Sequence, residues 1–348
     1  MATLDTPRPA AVALLAGLSL GRWKLIGLAA VLAAACALPF VVSSYQLLLA
    51  TQVLVYAIAL LGLNILTGYN GQFSLGHGAF YAIGAYTTAI LLDKTGIPYW
   101  VTIPLAGALC LVAGFLFGLP ALRLEGHYLA LATFALAIAT PQLLKYKHFD
   151  YLTGGVQGIV ITAPDAPSGL PLRSDQWFYF FCLAWTLPLF VVGWNLLRGR
   201  TGRALLAIRD HPMAAATMGI DTALYKSLTF GVSAMYTGIA GALGALLAQF
   251  VSPDSFDFFL SVRFLVGIVV GGLASMTGAF FGAIFIEFVP NIAEEISKAV
   301  PQAIYGAMLI IFIYFMPTGV AGLLRLLGAR LRRLASPAAG RSHLPPAR

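Results

Sequence analysis

The feature that most constrains this chain is a run of 68 residues, between Lys24 and Asp93, without Asp, Glu, Lys or Arg. The hydrocarbon core of a bilayer is about 30 Å thick and is crossed by about 20 helical residues. The run is therefore long enough for about three membrane spans with short connections. A soluble protein could not cover so much apolar surface, because a folded surface needs polar and charged groups. The run predicts a polytopic membrane protein.

Composition narrows the fold and function classes further. Apolar residues make up 59% of the 348 residues, and charged residues only 10%, against about 25% in soluble domains. This excludes soluble enzymes and disordered proteins, and it excludes nucleic-acid binding despite the net charge of +8. The apolar stretches lack the period of two that marks a membrane β-barrel. The predicted fold class is all-α, an integral membrane protein.

Charge-free stretches and turn signals predict about ten spans, with eight as the lower bound. A broken or re-entrant helix is the alternative at two places: the start of the third span, which is rich in Gly and Ser, and the short joint near 274–277. Irregular backbone is tolerated in a membrane where it lines a cavity. The predicted spans are 25–42, 46–66, 72–92, 99–119, 127–145, 177–197, 227–250, 259–274, 277–296 and 301–317.

The distribution of Lys and Arg predicts the orientation. With the N-terminus in the cytoplasm, fifteen of these residues fall on the inner side, Arg203 and Arg332 among them. Inner loops carry the excess of positive charge, and an even number of spans places both termini in the cytoplasm. Pro164 and Ser168 are predicted to face outward. The six basic residues on the outer side are Lys94, Lys145, Lys147, Arg173, Arg263 and Lys298.

These boundaries divide the chain into three parts: a cytoplasmic segment 1–24, a transmembrane domain 25–317, and a basic cytoplasmic tail 318–348. The transmembrane domain has a long outer loop, 146–176, which is dense in Gly and Pro. It also has a cytoplasmic loop, 198–226. In this loop His211–Pro212 interrupts a helical pattern, which predicts two short helices hinged at Pro212.

A cluster of polar side chains falls within fourteen residues at membrane depth or its edge. Such side chains are costly in a bilayer unless they are paired or wetted, which indicates a kinked helix along a translocation path. The alternative is that the amides bond across packed helices, and for His77 alone a hydrogen-bonding packing role is favoured. The cluster comprises Asn64, Asn70, Gln72, Ser74 and His77, interleaved with Gly68, Gly71, Gly76 and Gly78.

Two further patterns concern helix packing. Small residues four apart favour close approach of helices, and they occur at 114/118, 267/271 and 278/282. Gly271 and Gly278 also belong to a faint echo between 71–80 and 271–280, which is compatible with a parallel internal repeat.

Glu287 is the one acid placed inside a predicted span, so it is a candidate proton site. A shift of one turn would instead put it near the outer interface.

Motifs of catalysis are missing from the sequence. It has no phosphate-binding GxxxxGK[ST] loop, no GxSxG and no HExxH. Cys36, Cys110 and Cys182 lie far apart in apolar segments, as packing residues do. We therefore expect no enzymatic activity, no metal and no cofactor.

Several segments together resemble the permease subunits of branched-chain (hydrophobic) amino-acid ABC importers. They are LNILTGYNGQFSLGHGAFYAIGAY (63–86), LRLEGHYLALATFA (122–135), LTGGVQGI (152–159), the stretch 202–243, SPDSFDF (252–258) and VVGGLASMTGAFFGA (269–283). The long outer loop and the basic tail are similar to the larger of the two permease types in such systems. His127 stands where the family more usually has Asp.

The resemblance implies an importer of several subunits in the cytoplasmic (inner) membrane of a bacterium. Its partners would be a second permease subunit, two cytoplasmic ATPase subunits and an extracytoplasmic solute-binding protein. The implied substrate is a branched-chain or other hydrophobic amino acid, moved by alternating access, with urea or short amides as the alternative. Two rival classes remain open: a stand-alone proton-coupled secondary transporter using Glu287 or His77, and a membrane scaffold that transports nothing.

The resemblance also implies that the loop 198–226 couples to the ATPase. Many importers have the sequence EAA there, followed by Gly four residues later. Ala214, Ala215 and Gly219 fit this spacing, whereas Met213 stands at the Glu position. The two alanines would allow close approach, Gly219 would end the second helix, and Arg203 and Arg209 would offer positive charge.

Overall fold

The computed structural model describes residues 22–326 apart from Glu125, 163–171, Ala299, Pro317 and Arg325. Predictions about residues 1–21, Pro164, Ser168, Arg332 and the rest of the tail from 327 lie outside the described residues. Within the described residues before Met316 there are thirteen α-helices, one π-helix (Asn64–Tyr69) and three short 3-10 turns. The α-helices are α1 Arg22–Val41, α2 Ser44–Leu63, α3 His77–Thr95, α4 Tyr99–Ala121, α5 His127–Leu144, α6 Asp150–Thr153, α7 Ser174–Arg198, α8 Arg200–Asp210, α9 Pro212–Thr217, α10 Thr222–Ala248, α11 Phe258–Gly271, α12 Met276–Ile296 and α13 Pro301–Phe315.

The predicted all-α membrane fold is confirmed. Seven helices within the described ranges are long and apolar enough to cross a membrane: Ser44–Tyr69, Tyr99–Ala121, His127–Leu144, Ser174–Arg198, Thr222–Ala248, Met276–Ile296 and Ala303–Leu324. Each of the ten predicted spans coincides with a helix. Three of these helices, α1, α3 and α11, are not among the seven. With 14 residues, α11 is only about 21 Å long, which is less than the thickness of the bilayer core.

Two helices, α2 and α10, form the centre of the bundle. In each, 83% of the apolar stretch is buried, against 12% in the last helix. Close approach to α10 depends on glycines: a Cβ on Gly84 of α3 would overlap the backbone of Gly238, and one on Gly114 of α4 would overlap Ala234. Small residues thus replace the hydrophobic effect as the means of helix association, because lipid is as apolar as the helices.

The small-residue pairs of α11 and α12 pack against each other. A Cβ on Gly267 would meet Ile286 of α12, one on Gly282 would overlap Gly267, and one on Gly271 would overlap Gly278. The two helices are therefore antiparallel and in close contact, joined by the turn 272–275.

The two ends of the bundle differ. At one end, a short antiparallel ladder pairs Ile159 with Val251 and Val160 with Phe250, and Lys145 forms an ion pair with Asp254. At the other end lie α8 and α9. Segments that the sequence assigned to the same side of the membrane are in contact at each end, as an up-and-down bundle requires.

The prediction of a span beginning at residue 72 is wrong in its first turn. The π-helix Asn64–Tyr69 extends α2, and residues 70–76 are irregular before α3 begins at His77. The run of Gly and Ser explains the difference, because such residues weaken helices. The alternative of a broken helix at this position is the one that the structure adopts.

Candidate functional site

The π-helix and the irregular residues after it, which we together call the break (residues 64–76), lie inside the bundle. The backbone of the break must therefore find hydrogen-bond partners within the protein. The Leu75 amide donates to Thr133 Oγ1 of α5 at 2.9 Å. The Gly78 amide, in the first turn of α3, donates to Ser261 Oγ of α11 at 2.9 Å. Hydroxyl groups from two other helices thus replace the missing helical bonds and hold the break in one conformation.

Asn64 ties the break to the turn between α11 and α12. Its Nδ2 donates to the carbonyl of Ser275 at 2.7 Å, and its Oδ1 accepts from the amide of Ala274 at 2.9 Å. The side chain is fully buried. Gly68 lies against the same turn, since a Cβ there would meet the Ala274 amide at 2.5 Å. Movement of the break would therefore move the turn.

Asn70 and Gln72 pair with each other. Asn70 Nδ2 donates to Gln72 Oε1 at 2.8 Å, and Thr67 Oγ1 donates to the Gln72 carbonyl at 3.0 Å. The Asn70 Oδ1 atom is buried and has no hydrogen-bond partner in the part of the chain that the structure describes. The pair closes the end of the π-helix while leaving one polar atom for another group.

His77 stands in a buried chain of hydrogen bonds. Ser233 Oγ donates its single proton to the Gly62 carbonyl at 2.6 Å, so it accepts from His77 Nε2 at 2.7 Å. The other ring nitrogen, Nδ1, then accepts from Ser74 Oγ at 2.9 Å. Both ring nitrogens are satisfied, which favours the packing interpretation of His77.

The five polar side chains predicted to line a path are all buried, with exposed fractions from 0% for Asn64 to 7% for Gln72. They do not line an open path in this conformation. Of the five, Ser74 borders a neighbouring cleft of about 360 Å³, which is also lined by Phe73, Leu75, Gly126, His127, Ala130 and Leu265. Sequence reasoning assigned no role to Phe73, whose side chain is 52% exposed, and its only signal was an aromatic ring within the Gly-rich segment.

Backbone conformation or close packing accounts for three glycines of the break and the start of α3. Gly71 has φ 74°, which side chains with a Cβ rarely adopt, and a Cβ there would also meet Arg209 Cγ at 2.7 Å. Gly76 and Gly78 lie against Thr133 and Ser261, where they admit the hydroxyls that bond the break.

The helix pair α8–α9 and its flanks, which we call the arm (residues 199–221), contacts the break directly. Pro212 starts α9 after the single residue His211, as predicted. Arg209 Nη1 donates to the Gly68 carbonyl at 2.8 Å, while its Nε donates to Asp210 at 3.0 Å. Arg209, which is predicted to offer charge to a partner, joins the arm to the break in this structure.

The end of the arm matches a Schellman motif. Gly219 has φ 82°, its amide donates to the Ala216 carbonyl, and the Ile220 amide donates to that of Ala215. This arrangement satisfies the last carbonyls of a helix. Gly219 therefore ends α9 at the position where the sequence placed a turn.

Ala215, which is predicted to give close approach to a partner, is buried in this conformation. Its side chain is 4% exposed, whereas Met213 and Met218 are 81% and 82% exposed. The helix α9 has six residues, which is about one and a half turns, and one of its faces lies against the rest of the protein. Ala215 is on that face. Ala214 and Arg203 are exposed. The apolar contact surface of the arm thus consists chiefly of two methionines.

Within the described ranges, no group of three or more His, Cys, Asp and Glu could hold a metal ion. Glu287 is the twelfth of the 21 residues of α12, just past the midpoint of the helix. Arg263, which the charge count assigned to the outer side, is the sixth of the 14 residues of α11.

We predict that Asn70→Leu or Gln72→Leu will abolish or strongly reduce solute uptake without loss of assembled protein. Each change keeps the volume similar but removes a buried hydrogen bond and leaves its partner unsatisfied, at a cost of about 1–3 kcal/mol. Uptake per assembled complex is the measurement. Asn195→Leu, at an exposed position of α7, is the matched control. Parental rates in both variants would show that the pair has no part in transport.

The chain is similar to known membrane permeases. The profile of the family described as "branched-chain amino acid transport system / permease component" matches residues 45–313. The permease proteins LivM of Salmonella typhimurium and of Escherichia coli, from high-affinity branched-chain amino acid transport systems, are each 33% identical over 322 residues, covering 86% of this chain and 75% of theirs. LivH of Escherichia coli, a permease protein from the same kind of system, is 23% identical over 290 residues, covering 77% of this chain and 91% of its own. No solved structure matches.

Proposed function

The chain belongs to the branched-chain amino acid transport permease family, and on this premise we propose that it is the LivM-type permease subunit of an ATP-driven importer. The proposed substrates are branched-chain or other hydrophobic amino acids, and the proposed mechanism is alternating access. As a permease component the chain is not itself an enzyme, so ATP hydrolysis belongs to a separate subunit.

The observation that carries the proposal is the hydrogen bond from Arg209 to the Gly68 carbonyl. An importer driven by a separate ATPase needs a mechanical connection from the membrane surface to the membrane interior. The arm offers exposed Met213 and Met218 to a partner, and Arg209 joins the same arm to the break.

From the break, Asn64 reaches the α11–α12 turn through two hydrogen bonds. A displacement of the arm by an ATPase would thus reach α2, α3, α11 and α12 together. Packed helices that are connected by hydrogen bonds can carry energetic coupling between the arm and the membrane interior, as a transition between two conformations of an importer needs.

The proposed partners follow from this role. They are a second permease subunit, two cytoplasmic ATPase subunits that receive the arm, and an extracytoplasmic solute-binding protein at the opposite end. The chain is a multi-pass membrane protein. Its proposed location is the bacterial cytoplasmic membrane, with both termini in the cytoplasm.

Co-purification tests the proposal. The tagged chain, extracted from its native membrane in a mild detergent, should retain an ATPase subunit and a second permease of the same family. Recovery of the chain alone, still able to take up amino acids after reconstitution, would refute the proposal and favour a secondary transporter.

The proposed orientation gives a separate prediction. In a background without Cys36, Cys110 and Cys182, a cysteine at Val160 should react with an impermeant thiol reagent from outside intact cells, because Val160 is 78% exposed and lies at the end opposite the arm. A cysteine at Arg203 should react only after the cells are opened. Labelling of position 203 in intact cells would reverse the orientation.

A further inference from the structure

A charged side chain lies where the bundle would otherwise present an apolar surface. Arg263 is exposed on α11, and the residues one turn away on the same face are apolar, Phe259 and Val266. Because Gly267 packs against Gly282, the antiparallel register brings Arg263 close to Glu287 of α12.

The positions of Arg263 and Glu287 along the bundle follow from the lengths of their helices. The α11–α12 turn contacts Asn64 of the break, at the end of the bundle that carries the arm. Glu287 is eleven residues beyond Met276, the first residue of α12, or about 17 Å along the helix. Arg263 lies five residues, or about 8 Å, from the start of α11 at the opposite end, so both charges lie between the two ends of the bundle. Exposing an arginine side chain to lipid inside the membrane costs free energy. The surface of α11 that carries Arg263 therefore contacts water, a partner or a solute instead of lipid.

The two opposite charges interact without direct contact. The Glu287 carboxylate lies within the electrostatic influence of Arg263, yet no ion pair within 4.0 Å joins them in the described part of the chain.

A nearby hydroxyl supports the same conclusion independently. Tyr305 of α13 interacts electrostatically with Arg263. Its hydroxyl is buried and has no hydrogen-bond partner among the residues that the structure describes. Buried polar atoms are nearly always paired, so this hydroxyl marks a place for a polar atom that the described residues do not supply.

We propose that Arg263 and Glu287 form a binding site for the zwitterionic main-chain groups of the transported amino acid. The inference rests on the proposed import function and identifies the solute by its chemistry: the α-carboxylate binds the Arg263 guanidinium and the α-ammonium binds Glu287. Phe259 and Val266 on the face of Arg263 contact an aliphatic side chain. Urea and neutral amides carry neither charge and leave both groups unpaired.

The test uses the complete importer in proteoliposomes, with leucine-loaded binding protein outside and ATP accessible to the ATPase. Uptake of labelled leucine per ATP hydrolysed is measured for the parent, Arg263→Gln and Glu287→Gln. Each substitution should lower this ratio about tenfold or more, because a charge-assisted hydrogen bond is lost, while ATPase subunits are retained. Glu294→Gln, at an exposed position near the end of α12, should match the parent.

The double variant Arg263→Glu/Glu287→Arg separates a solute site from a structural charge pair. A structural pair survives the exchange, whereas a site that orients a zwitterion does not, so the exchanged protein should stay defective. Restoration of uptake by the exchange, or a parental ratio in both single variants, would overturn the inference.

An alternative variant and the parental importer distinguish loss of assembly from loss of the site. If Arg263→Gln fails to assemble, Arg263→Lys replaces it. That variant should assemble but transport less, since Lys lacks the forked geometry that binds a carboxylate through two bonds, and a parental ratio would again overturn the inference. If the parental importer shows no ATP-dependent leucine uptake, the proposed function fails instead of the site.

Discussion

Gly84→Leu is expected to abolish the recovery of folded protein. Gly84 lies where α3 crosses the central helix α10, and even a single Cβ there would overlap the carbonyl of Gly238. Backbone cannot move aside as a side chain can, so the larger leucine must push α3 away from α10. Overpacking of a close-packed interior costs about 1–3 kcal/mol in milder cases, and this case concerns backbone against backbone.

Gly306→Leu is the matched control, because a Cβ at that helical glycine meets nothing within 4 Å. The measurement is the yield of monodisperse protein after detergent extraction, together with its thermal midpoint. The control should match the parent, while Gly84→Leu should give aggregated protein or none. Equal yields for the two variants would contradict the packing of α3 on α10 described above.

Replacement of both exposed methionines of the arm, Met213→Asp/Met218→Asp, should abolish retention of the ATPase and with it all ATP-dependent uptake. An apolar contact that must desolvate two carboxylates without partners loses several kcal/mol, and a few central side chains usually carry most of the energy of an interface. Membrane insertion should be normal, because no span changes.

Leu224→Asp is the control for this prediction. Leu224 is 47% exposed at the start of α10. Its substitution by Asp therefore adds a negative charge at the same end of the bundle but outside the arm. ATPase retained on the purified permease is measured beside the amount of permease in the membrane. Full retention in the double variant would show that the arm is not the docking surface, and a transporter working alone would become the better explanation.

The sequence predicted those parts of the fold that depend on local rules. Long charge-free stretches located the helices, since the bilayer imposes both length and apolarity. Pro212 marked the hinge of the arm because proline cannot continue a helix. Gly219 marked its end because a left-handed residue favours glycine. The π-helix was not predictable, because its residues are equally compatible with an α-helix until tertiary contacts decide.

The sequence did not predict which way individual side chains point or which distant residues they contact. Asn64 bonds to residues 210 and 211 positions away, and no local pattern indicates such a partner. Ala215 and Ala214 are chemically alike, yet only one of them is buried. Arg263 was assigned to the outer side without a depth, because a count of charges assigns sides rather than depths, and α11 is too short to follow the rule for a full span.

The most direct test of the central claim is labelled leucine uptake into proteoliposomes that contain this chain with its second permease, ATPase and solute-binding protein. Uptake is measured with ATP in the absence of a proton gradient, and with a proton gradient in the absence of ATP. The account predicts uptake that needs ATP, binding protein and this chain, with none driven by the gradient alone. Uptake driven by the proton gradient without ATP would contradict it.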